Sequence, residues 1–117
     1  MSRKGLIECS FFIPIRRDRL LSDGAIHDLE CWEWLEKQLF IEFEGATEAQ
    51  CLHSGFYADP DTQEMVRDES KKFTVAVTRR EVRSLRALLK EACRVFKQKC
   101  IYLSVAGTVE FVEGDHE

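Results

Sequence analysis

Glu8, His53 and Tyr102 carry the side chains best suited to moving a proton. A carboxylate held near an imidazole and a phenol can pass a proton among the three, which is the chemistry of a small acid/base site. The same residues also occur on half-exposed sheet faces and in interface hydrogen-bond networks, and no catalytic motif fixes their geometry here. Arg79, Arg80 and Arg83, followed by Arg86, form a second group. They crowd the start of a predicted helix, where positive charge opposes the helix dipole and where, with the first amides, it could hold a phosphate or a carboxylate. The competing account is internal pairing with the acidic C-terminal tail, by the same logic that sets Arg16, Arg17 and Arg19 beside Asp59, Asp61 and Glu64. Internal pairing is the favoured account, although exposed pairs contribute only ~0–1 kcal/mol each.

Metal chemistry is poorly supported. His27 and Cys31 stand four apart on a predicted helix and Cys51 and His53 alternate on a predicted strand, but a zinc site needs about four ligands and nothing in the spacing brings the pairs together. A Cys/His nucleophile lacks an identifiable electropositive neighbour. Asp59-Pro-Asp-Thr-Gln-Glu64 lacks the glycine and the distant bidentate glutamate of a calcium loop and reads as a hydrated turn. No metal and no cofactor is expected.

The elements that must position these residues follow from hydrophobic periodicity. Ile7, Cys9, Phe11, Ile13 and Ile15 alternate with the other face of a first strand. Ser22 or Asp23 offers an N-cap for a helix carrying Ile26, Leu29, Trp32, Leu35, Leu39 and Phe43, which Gly45 would end. Thr47 to Tyr57 reads as a second strand, followed by the Asp59-Pro60 turn and a third strand over 72–78 with Phe73, Val75 and Val77 on one side. Two alternatives remain for the second strand: His53, Cys51 and Tyr57 on the open face, or Leu52 and Phe56. Thr78 and Glu81 have capping-box spacing before a helix with Val82, Leu85, Leu89 and Phe96 buried. Cys100 to Ala106 is a fourth strand with Ile101, Leu103 and Val105 inward, and Thr108 to Glu113 extends it or forms a short fifth. The order βαββαβ predicts an α+β fold, a ferredoxin-like plait with an antiparallel four-stranded sheet in the order 4-1-3-2 and two helices on one face. One domain spans 1–117, ordered from about 6 to 113. The uncovered sheet face would carry Glu8, Ser10 and Phe12, Lys72, Thr74 and Ala76, and Cys100, Tyr102 and Ser104.

Composition narrows the function classes. The 117 residues contain 17 Lys+Arg and 21 Asp+Glu, and the last four acids, Glu110, Glu113, Asp115 and Glu117, follow the last basic residue, leaving 17 of each sign in residues 1–103. A general nucleic-acid binder needs a basic excess, and Phe12 with Tyr102 lacks the surrounding signature of an RNA-recognition sheet. No nucleic-acid partner is expected. No apolar run approaches ~20 residues, and Met1-Ser-Arg-Lys-Gly5 leads directly into a strand, so no membrane partner and a soluble, cytoplasmic protein are expected. Five cysteines, Cys9, Cys31, Cys51, Cys93 and Cys100, are an odd number without Cys-x-x-Cys spacing, which predicts reduced, mostly buried thiols.

The segments Glu8-Cys-Ser-Phe-Phe12, Gly55-Phe-Tyr-Ala-Asp59 and Asp68-Glu69-Ser70, with the element order, resemble an uncharacterised family of small ferredoxin-like proteins known as a domain of unknown function. The resemblance covers residues 6 to about 113, implies the plait and brings no catalytic residues. Its exported members have a leader that this chain does not show, so their compartment is not carried over. The leading functional expectation is a binding or interaction module, a homodimer through the open sheet face, with Phe12 and Tyr102 buried there or framing a pocket for a small ligand. The alternative is a small-molecule enzyme of isomerase or monooxygenase type using Glu8, His53 and Tyr102. Anion binding by Arg79, Arg80 and Arg83 is the third.

Overall fold

Alternation alone builds the first strand, β1 (Ile7–Pro14), in which Cys9, Phe11 and Ile13 are fully buried while Ser10 and Phe12 remain partly open. In this computed structural model, which describes residues 4–115, the expected first helix starts later than its N-cap signals suggest. Asp18 accepts the Leu20 amide (2.7 Å) and Asp23 the Ala25 amide (3.0 Å), so both aspartates close local turns. Gly24 at φ +72° and a bridge between Arg16 and Ile26 complete the loop. The helix α1 (Leu29–Phe43) therefore begins after Asp28, neither Ser22 nor Asp23 caps it, and Ile26 and Leu29 are 57% and 72% exposed rather than buried. Leu35, Leu39 and Phe43 carry its buried stripe.

The expected second strand is two pieces, β2 (Thr47–Glu48) and β3 (His53–Ala58), and both pair with β4 (Met65–Val77). β4 begins seven residues before the expected 72, because β3 pairs with Met65–Ser70 while β1 pairs with Ser70–Val77. The hairpin tip is held by Asp59, whose Oδ2 accepts the amides of Asp61 (3.0 Å) and Thr62 (2.9 Å). Lys99 reaches Asp59 and Asp61 at 3.1 and 3.0 Å, which replaces the expected pairing with Arg16, Arg17 and Arg19; Arg17 instead meets Asp23 and Asp28. Helix α2 (Glu81–Val95) opens on the expected capping box: the Thr78 amide donates to Glu81 (2.7 Å) and the Glu81 amide to Thr78 Oγ1 (3.3 Å). β5 (Cys100–Val105) and β6 (Thr108–Glu113) are joined by Ala106 and Gly107, both at positive φ, as a two-residue hairpin turn requires.

The result is an α+β fold with a six-stranded antiparallel sheet in the order β2-β4-β1-β5-β6, β3 adding to the same edge of β4 as β2. The four expected strands stand as β5-β1-β4-β3, the 4-1-3-2 order. Cys9, Phe11 and Ile13, Phe73, Val75 and Val77, and Ile101 and Leu103 meet Leu35, Leu39, Leu85, Leu89 and Phe96 in one core. Both helices contribute to that core, so the alternate residues of each strand face away from it. Cys9 and Cys93 are buried and Cys51 is exposed, all with free thiols. No described helix is long and apolar enough to cross a membrane.

Candidate functional site on the open sheet face

Register decides which side chains meet on the face away from the core. Phe12 opposes Lys72, Pro14 opposes Ser70, Ser70 opposes His53, and Tyr102 opposes Phe111. Of the two alternatives for the second strand, the set containing His53 and Tyr57 is therefore the one on this face; Cys51 lies outside β3 and is exposed.

Four rings form a continuous row across the strands. Phe12 meets His53 edge-on at 5.3 Å and Tyr102 at 5.1 Å, and Tyr102 meets Phe111 at 5.8 Å. Such tilted contacts suit the ring quadrupoles and hold each ring in place. The rings border a cavity of about 400 Å³ whose polar lining includes Asp68, Ser70, Cys100 and Tyr57. That volume is in the range of small-molecule sites. Gly55 lies between His53 and Tyr57 on this face of β3, and a Cβ built on it would meet nothing within 4 Å, so its missing side chain leaves an open slot.

The cavity is electronegative at one end. Burial pushes the Tyr57 hydroxyl well above its usual range, and the charge of Asp68, to which it is hydrogen-bonded, raises it further. Burial also raises the Asp68 carboxyl; the Tyr57 hydrogen bond opposes this, and nearby Asp18 adds to it. The Cys100 thiol is raised by burial and then by Glu113, Asp18, Asp59 and Asp68. Cys100 is thus held as a neutral thiol, the opposite of an activated nucleophile. Among the described residues no Lys or Arg pairs with Asp68. Aromatic faces together with a partly buried carboxylate favour a cation in the cavity.

His53 and Tyr102 line this cavity, on opposite sides of Phe12. Glu8 is on the same face but does not line it: it stands beside Ala76, four residues before Phe12 along β1, or about 13 Å. The three residues therefore do not converge on one point. Arg79, Arg80 and Arg83 border a separate groove with Ile7 and Val105, at the other end of β1. His27 precedes α1 rather than lying on it and is turned inwards, its Nε2 donating to the Pro14 carbonyl (2.8 Å), while the Cys31 thiol donates to the Val95 carbonyl (3.7 Å), so the two do not form the expected helical pair.

Asp68, Ser70 and Phe111 are among the cavity residues that the sequence does not place on this face. The signal for Asp68 was present: Asp68, Ser70, Lys72, Thr74 and Ala76 continue one alternation, but the polar character of 58–70 made the strand look shorter.

No protein-family model matches the chain, and no curated protein matches it in sequence. Among solved structures it is similar to a phage SAM lyase in complex with S-methyl-5′-thioadenosine, at a TM-score of 0.69 and 16% identity, over 100% of this chain and 98% of that one. The phage SAM lyase in its apo state matches at 0.60 and 15% identity, with the same coverage. At this identity the likeness establishes a shared fold, end to end.

Proposed function

We propose that the open-face cavity binds an adenosyl sulfonium, S-adenosylmethionine, and that the chain is a lyase releasing S-methyl-5′-thioadenosine from it. The observation that carries this reading is the pairing of an aromatic row with a carboxylate that has no described basic partner, in a fold shared over its whole length with a SAM lyase. Phe12, Tyr102 and Phe111 supply flat apolar surface for a purine, whose stacking on an aromatic ring is worth about 1–3 kcal/mol. Asp68, oriented by Tyr57, lies where a positive sulfur or ammonium would be attracted. Cleavage breaks the bond from sulfur to the amino-acid chain with its electron pair passing to sulfur, so the sulfonium charge is lost and no redox cofactor takes part. This reading takes up the enzyme alternative from the sequence, with Asp68 and Tyr57 in place of Glu8 and a lyase in place of an isomerase or monooxygenase.

Incubation of the protein with S-adenosylmethionine, followed by chromatography and mass spectrometry, tests the reading. S-methyl-5′-thioadenosine should accumulate with enzyme concentration, and the mass of the four-carbon product separates attack by its own carboxylate, which gives a lactone, from loss of a neighbouring proton, which gives an alkene. Asp68→Asn should lower kcat/KM about 10- to 100-fold, as loss of a charge-assisted contact does, while changing affinity for the uncharged thioether by no more than about threefold. Absence of both cleavage and millimolar binding would remove the proposal.

A second reading, a homodimer closed through the same face, is supported by Val109 and Phe111, which are 46% and 56% exposed there. A second copy over this face would bury them and screen the cavity from water. Light scattering that finds a monomer at micromolar concentration would exclude it.

A further inference from the structure

We infer that the groove at the start of α2 is a binding site for the clustered oxyanions of a polyphosphate-bearing small molecule. Arg79, Arg80, Arg83 and Arg86 border it, with an apolar wall from Ile7, Val82 and Val105, and it encloses about 580 Å³. Its lining contains no acidic residue. The acids that sequence reasoning brought towards these arginines stop short of most of them. Glu110 takes Arg86 through two bonds of 2.7 and 3.0 Å, and Asp115 takes Lys90 at 3.1 Å, one helical turn farther along. Glu117 lies outside the described residues. Among the described residues Arg79, Arg80 and Arg83 have no carboxylate partner, and all three are exposed.

The arrangement costs stability when empty. Like charges three and four residues apart repel, and cations at a helix start oppose its dipole. The Glu81 amide is already taken by Thr78, so the guanidinium groups rather than the helix amides make this site. Guanidinium matches phosphate through paired N–H donors, and several such groups in one groove favour a ligand with more than one phosphate over a single carboxylate. Duplex nucleic acid is a poorer fit, because the rest of the chain is neutral or acidic and would repel an extended backbone.

Isothermal titration with sodium tripolyphosphate at 50 and 200 mM salt tests the inference. The wild type should bind at low salt and more weakly at high salt. The double variant Arg79→Gln/Arg83→Gln should bind at least about 100-fold more weakly, about tenfold for each guanidinium lost. Removing like charges from a helix start does not endanger folding, and a thermal melt of the variant at or above that of wild type confirms it. Lys37→Gln, on the exposed side of α1, should bind as wild type. No heat of binding at 50 mM salt, equal binding by the double variant, or tighter binding of a 20-base-pair DNA duplex than of tripolyphosphate would each overturn the inference. The groove is at the opposite end of β1 from the open-face cavity, so this result is independent of the S-adenosylmethionine assay.

Discussion

Two polar residues, the half-buried Asp68 and the buried His27, behave oppositely with pH. Asp68 is raised by burial, so it is more easily kept neutral in the folded chain than in the unfolded one and opposes stability as pH rises above the ordinary carboxylate value. His27 is lowered, chiefly by burial against Trp32 and Phe96; its bond to Pro14 opposes this and Arg17 reinforces it. Its Nδ1 has no partner, so a second proton would be placed on a buried, unsatisfied atom. A histidine with a depressed folded pKa binds fewer protons folded than unfolded, and stability is lost as pH falls below about 6.5. The urea midpoint should therefore decline between pH 7 and pH 5.5, and His27→Phe should flatten that decline. An unchanged slope in the variant would show that His27 is not its source. The candidate site was partly legible at this scale. Tyr102 and Phe12 could be found because alternation places them on one face, whereas His53 stood in one of two alternatives that only register with Ser70 decides, and Asp68 was lost in a polar stretch whose pairing partner was unknown.

The start of α2, whose capping bonds close within four residues, was legible in the sequence, and elements whose bounds are set by distant partners were not. Thr78 and Glu81 form their reciprocal bonds within four residues, so the start of α2 was visible locally. Thr78→Ala should lower stability by about 1 kcal/mol, readable as a shift of the urea midpoint without a change of slope. Ser22 and Asp23 are equally good capping types, yet their segment closes as a loop. The reason lies outside it: Arg16 bridges Ile26, Asp18 donates its amide to Lys97, and Gln98, 99% buried, donates to Arg16. The length of β4 was likewise set by β3 lying beside it, since a polar strand with exposed side chains is stabilised by cross-strand partners rather than by its own composition.

The whole molecule separates its two clefts. The aromatic, electronegative cavity is at the end of β1 near Pro14, and the arginine groove is at the end near Ile7, so one face of the charge distribution attracts cations and the other anions. S-methyl-5′-thioadenosine at 100 times its Kd should raise stability by about 2.7 kcal/mol, or roughly 10 °C in Tm. A thermal shift assay that shows no change across that concentration range would count against the cavity as its site. From sequence alone came the α+β class, the relative order of the four strands it predicted, and the core except for Ile26 and Leu29. These depend on periodicity, which each segment carries within itself. Only the tertiary structure decided that Glu8 stands apart from His53 and Tyr102, that Asp68 joins them, and that Lys99 rather than an arginine holds the hairpin tip. The first two outcomes turn on the pairing of β1, β4 and β3, strands distant in sequence in which a shift of one residue moves every side chain to the other face, and the third on the fold bringing the end of β3 beside the start of β5.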